Sequence, residues 1–185
     1  DDQAFDCDRE ALLTALPEQG IALLMNPGCS LSSSRNASAL SEQYDYIYAA
    51  VGSHPDVADE VNEAVLDEYR QLCKQNPKIK AIGEIGLDYY WKENEPKEVQ
   101  KRIFLEQIDL AKQFDLPIII HDREAHGDTL EILKKHKPVG VLHCFSGSTE
   151  MAKEIVKLGM YIGVGGVATF KNAKNLPEVI KNTPL

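Results

Sequence analysis

A chain of 185 residues with 43% apolar and 26% charged side chains has the size and composition of a globular protein that can bury its own core. Its formal net charge of −9 excludes a basic surface that grips nucleic acid by phosphate neutralisation alone, though not binding through metal ions that supply positive charge locally. Four cysteines (Cys7, Cys29, Cys73 and Cys144), with no Cys-x-x-Cys pair, point to reduced thiols and a cytoplasmic location rather than a disulfide framework.

No apolar run is long enough to span a membrane, and no signal peptide is evident in these residues. The first residue is Asp1 rather than Met, so the true start is expected upstream. The apolar run GIALLMNPG (20–28) predicts the first strand, and the serine-rich stretch 30–43 behind it is helix-compatible after its capping serines. YDYIYAAVG (44–52) predicts the next strand and 59–75 an amphipathic helix. The strand KIKAIGEIG (78–86) leads to a helix over 95–114, with Val99, Ile103, Leu110 and Phe114 at helical spacing. LPIIIHD (116–122), a helix over 127–136, PVGVLHCFSG (138–147), a helix over 148–159 and GMYIGVGG (159–166) complete the series.

Strands alternating with helices imply parallel pairing, and near-continuous apolar strands imply a sheet covered on both faces. A TIM (β/α)8 barrel uses eight strands and about 250 residues. The six strands here predict such an α/β barrel in incomplete form, its second to seventh strands, as one domain over 1–185. An open doubly wound sheet has the same periodicity and is the alternative. GVGGVATF at the sixth strand is not G-x-G-x-x-G and gives little support to a dinucleotide site.

The first polar residues after the apolar runs are His54, Glu84, His121 and His143. Each stands at or just past the C-terminal end of a predicted parallel strand, the side on which such folds build their sites. A buried carboxylate such as Glu84 is costly unless paired or metal-bound, and two imidazoles with a carboxylate suit Zn²⁺, Mn²⁺ or another divalent ion. Arg123 could hold a substrate phosphate through its planar fork, or pair with Asp122 or Glu124. His126 is a residue of the rim or of a turn, and His136 a solvated helix end. Cys144 is expected to point away from His143 into the packing, since neighbours alternate along a strand. Tyr89, Tyr90 and Trp91 could stack on bases or fill the core and rim. The glycines flanking Glu84 imply a crowded backbone.

The segments VGSHPDVAD, IKAIGEIGLDYYW, QIDLAKQFDLPIIIHDREAHGDTLEIL, VLHCFSGS and LGMYIGVGG resemble, in order and spacing, the motifs of the TatD family of metal-dependent deoxyribonucleases. DDQAFDCDREALL resembles the segment after that family's first strand. The resemblance implies an amidohydrolase-type TIM barrel holding one or two divalent ions (Mg²⁺, Mn²⁺ or Zn²⁺). It implies 3′-5′ exonuclease cleavage of phosphodiester bonds in DNA, on single strands or 3′ ends. It makes Glu84 a metal ligand, a bridging one, makes His121 and His143 ligands, and places His54 and Arg123 on the substrate side. The family's His-x-His strand would precede Asp1, and its Thr-Asp-x-Pro-like motif, with the Asp expected to deprotonate water, would follow Leu185. Two rivals stand beside this: another hydrolase of the same scaffold acting on esters or amides, and a truncated barrel without activity. A carboxylated lysine bridging the metals would favour the former, but Glu84 stands at that place.

Overall fold

The computed structural model describes residues 2–173 and 175–184. Its centre is a six-stranded parallel sheet in sequential order: β1 (Leu24–Pro27), β2 (Ile47–Val51), β3 (Ile79–Asp88), β4 (Ile118–Arg123), β5 (Gly140–Leu142) and β6 (Tyr161–Ile162). Each crossover carries helix: α2 (Leu31–Gln43), α3 (Glu63–Gln75), α4 (Lys97–Gln113), α5 (His126–His136) and α6 (Thr149–Lys157). The order never reverses, so the sheet curls progressively as an incomplete (β/α) barrel, and the doubly wound alternative is excluded because it needs a switch point. Two short helices, α1 (Arg9–Ala15) and α7 (Leu176–Asn182), lie outside the repeating units and were not anticipated by the apolar pattern.

Local chemistry sets the helix starts. Ser30 Oγ accepts from the Ser33 N–H at the head of α2, Asn62 Oδ1 from Ala64 and Val65 at α3, and Ser148 Oγ from Met151 at α6. Lys134, Lys135 and His136 fill the last turn of α5, where positive charge suits the helix dipole. The middle strands are buried on both faces. Ala49 and Val51 of β2, Ile82, Ile85 and Leu87 of β3, and Ile118 and Ile120 of β4 share one core with Ile103, Phe104 and Ile108 of α4. Each such large side chain contributes about 1.5–3 kcal/mol by leaving water.

β1, β5 and β6 are shorter than their apolar runs. Gly20, with φ +92, turns the chain before β1, and Leu23 stays 62% exposed at that edge. β5 stops at Leu142, and Cys144 turns the chain with φ +45. β3 runs the other way, two residues past Gly86 to Asp88. Apolar hollows of about 390 Å³ beside β6 and about 220 Å³ beside β1 lie at the open sheet edges, away from the histidines. Among the described residues no helix is long and apolar enough to cross a membrane.

Candidate active site

His54, three residues past β2, converges with Glu84 within β3 and His121 within β4, with one donor atom from each within 4.8 Å of the others. His54 is delivered by a loop tied down three times. Its N–H donates to the Cys29 carbonyl, while the Gln107 amide closes two bonds on Ser53, accepting from its N–H at 2.8 Å and donating to its carbonyl at 3.0 Å. Ser53 Oγ also meets the Tyr69 hydroxyl at 2.7 Å.

Glu84 sits where the β3–β4 pairing is irregular, between Ile82 and Ile85, and the Gly83–Glu84 peptide is cis. The Glu84 N–H donates to the Gly28 carbonyl at 2.8 Å, which ties it to the segment after β1. The crowding expected of the flanking glycines is against β4. A Cβ on Gly83 would meet Ile119 Cβ at 2.6 Å, and one on Gly86, which has φ +145, would collide with the His121 carbonyl.

His121 lies between two carboxylates. Its Nδ1 is 3.2 Å from Glu84 Oε1 and its Nε2 is 3.0 Å from Asp88 Oδ2. The His54 ring stands edge-on to it, 4.2 Å between centroids, and His54 Nδ1 is held by Asp56 Oδ1 at 2.6 Å. Burial disfavours the charged His121 ring, but the hydrogen bonds from Glu84 and Asp88 outweigh it and hold the pKa above the ordinary histidine value. Burial likewise opposes the Glu84 anion, yet the His121 hydrogen bond and the nearby histidines keep its pKa below the usual range. The His54 hydrogen bond lowers that of Asp56.

Ion coordination fits this geometry. Bonds of about 2.0–2.2 Å to nitrogen and oxygen, meeting at tetrahedral or octahedral angles, put adjacent donor atoms roughly 3 Å apart, and Glu84 and His121 already stand at 3.2 Å. His143 is not brought into this group. It follows β5 on an exposed turn, and its Nε2 is 3.2 Å from Cys144 Sγ, although its charge still acts on Glu84. Cys144 therefore does not point into the packing as expected. β5 has ended by then, so the alternation of a strand no longer applies. Partial burial and the nearby Glu84 raise the pKa of the Cys144 thiol.

Arg123 ends β4 with its guanidinium 3.9 Å above the Tyr90 ring and 5.4 Å from that of Trp91. Among the described residues it has no ion-pair partner, so the expected alternatives, Asp122 and Glu124, do not hold it. Asp122 instead binds His126 Nδ1 at 2.7 Å. Tyr90 and Trp91 are half exposed, at 50% and 52%, and meet edge to face. Tyr89 belongs to the packing, its hydroxyl donating to Asp128 and its ring lying under Lys97.

Asp88, Asp56, Gln100 and Gln107 were not singled out from the sequence. A signal for Asp88 existed, because residues 84, 86 and 88 share one face of a strand. It is visible only if β3 is carried past Gly86.

Residues 1–185 match the family model described as TatD related DNase. The chain is 40% identical to YabD, an uncharacterised metal-dependent hydrolase of Bacillus subtilis, over 98% of its own length and 72% of that protein's. It is 34% identical to the 3′-5′ ssDNA/RNA exonuclease TatD of Cronobacter turicensis, over 88% of its length and 62% of that protein's. The crystal structure of the Escherichia coli TatD homologue YjjV superposes with a TM-score of 0.92 at 36% identity, covering 100% of this chain and 72% of that one.

Proposed function

Since this chain belongs to the TatD family of metal-dependent hydrolases, we propose that it acts as a 3′-5′ exonuclease on phosphodiester bonds of single-stranded DNA. The observation that carries the reading is the pairing of two features at the same strand ends. One is the His54–Glu84–His121 cluster, and the other is the exposed Arg123–Tyr90–Trp91 stack. The first offers donors to a cation, the second offers a cation and aromatic faces to a nucleotide.

In this reading Glu84 and His121 hold the divalent ion, Mg²⁺, Mn²⁺ or Zn²⁺, and His143 joins them by turning from Cys144. Such an ion, when bound, lowers the pKa of a water and offsets the charge of the phosphate. His54, its Nδ1 engaged by Asp56, has Nε2 left to bind the substrate side of the reacting phosphate. Arg123 takes a second phosphate oxygen, and Tyr90 and Trp91 stack on terminal bases. No residue of the chain is assigned as the base that receives the proton of water. The exonuclease name carried by the Cronobacter relative supports the choice of DNA over small esters.

The polarity is tested by giving the longest reading frame that contains this sequence two 5′-labelled oligonucleotides, one with a free and one with a blocked 3′ end. Stepwise shortening of the free substrate alone is expected. Equal cleavage of both would overturn the exonuclease assignment.

A further inference from the structure

Among the described residues, Asp88 is the one charged residue in the fully buried set. Burying a carboxylate is costly unless its charge is matched and its lone pairs are used. No lysine or arginine reaches it. Gln100 clamps only its main chain, accepting from the Asp88 N–H at 2.9 Å and donating to its carbonyl at 3.0 Å. The side chain divides its two oxygens. Oδ2 takes His121 Nε2 at 3.0 Å, and Oδ1 accepts from the N–H groups of Tyr90 at 2.9 Å and Trp91 at 3.4 Å.

We propose that Asp88 is a positioning residue that fixes the His121 ring with Nδ1 toward Glu84 and His54 and, through its other oxygen, holds the Tyr90–Trp91 turn in register with that ligand. The inference rests on the metal-site reading above. Capping a turn requires one acceptor oxygen, which Asn or Ser supplies as well. A carboxylate is needed when both oxygens must accept, and here the second faces an imidazole. An Nε2–H donated to Asp88 leaves the Nδ1 lone pair facing Glu84, the side on which His54 also stands. Orientation of a ligating histidine by a carboxylate on its other nitrogen is worth about ten- to a hundredfold in metal affinity.

Asp88→Asn separates the two tasks. With its oxygen on the turn, its NH₂ faces His121 and favours a proton on Nδ1, the wrong tautomer for a ligand at that nitrogen. The experiment is Mn²⁺ titration calorimetry on the longest reading frame containing this sequence, wild type and Asp88→Asn, together with ¹⁵N NMR of the His121 ring in the Zn²⁺-loaded wild type. The expected results are a loss of about ten- to a hundredfold in Mn²⁺ affinity for the variant and an Nε2–H tautomer for His121 in the wild type. Unchanged Mn²⁺ affinity in a folded variant, or an Nδ1–H tautomer in the wild type, would overturn the role of Asp88 while leaving the metal site intact. The wild-type tautomer decides the matter if the variant does not fold. A wild type that takes up no Mn²⁺ would remove the metal-site reading itself, and the inference with it.

Discussion

Gln100 and Gln107 stand two turns apart on one face of α4, and each amide closes both hydrogen bonds of a single backbone unit at a strand end. Gln107 grips Ser53, next to His54, and Gln100 grips Asp88. Two turns of helix span about 10.5 Å, so one rigid element sets the separation between the segments that present His54 and Asp88. Both glutamines are buried, with the polar atoms they serve.

Gln107→Ala is therefore expected to destabilise the protein by about 2–4 kcal/mol, since it strands a buried N–H and a buried carbonyl together. Gln100→Ala should cost less, because Asn94 also donates to the Asp88 carbonyl. Urea unfolding checks both, and a loss under about 1 kcal/mol for Gln107→Ala, the scale of a single hydrogen bond, would show that the clamp is not needed.

The raised His121 and lowered Glu84 pKa values give the metal-free protein a defined pH response. The His121 contribution is fully present below its unfolded value and is lost as pH rises through the raised one. The Glu84 contribution is present above its unfolded value and is lost as pH falls through the lowered one. The pair is mutually charged only between these limits. Glu84→Gln should thus destabilise the metal-free fold most at about pH 5–6 and less on either side. Unfolding of both proteins in EDTA across this range is the measurement, and a pH-independent difference would contradict it.

The Arg123–Tyr90–Trp91 stack separates charge from stacking. Arg123→Ala should weaken binding of a single-stranded oligonucleotide and reduce the salt slope by about one. Trp91→Ala should cost about 1–3 kcal/mol and leave the salt slope unchanged. Fluorescence anisotropy at several salt concentrations distinguishes the two outcomes.

What could be read from the sequence follows from how each element is stabilised. β2 and β4 were plain because Ile47 to Val51 and Ile118 to Ile120 are packed from both sides, which leaves unbroken apolar runs. β1 and β6 were drawn too long because apolar residues such as Leu23 and Val164 remain exposed at the two sheet edges, and β5 because the chain turns at Cys144 before the apolar run ends. α1 and α7 are only seven residues each, too short for a helical period to stand out. Glu84 drew notice as a carboxylate at the end of a greasy strand, and β4 does bring His121 to it. The approach of His54 depends on the curl of the sheet and on Gln107, contacts 54 residues apart that no local pattern encodes. Asp88 was missed because it reads as the first residue of a turn, which one of its oxygens does serve.

The central claim is that Glu84 organises a divalent-metal site for DNA hydrolysis. The most direct measurement is release of nucleotides from end-labelled single-stranded DNA with Mg²⁺ or Mn²⁺, comparing the longest reading frame containing this sequence with its Glu84→Ala variant and with an EDTA control. Stepwise release by the wild type, abolished in both comparisons, is the predicted result. A protein that binds the metal through these residues and leaves DNA intact would contradict the nuclease assignment and turn attention to small esters and amides.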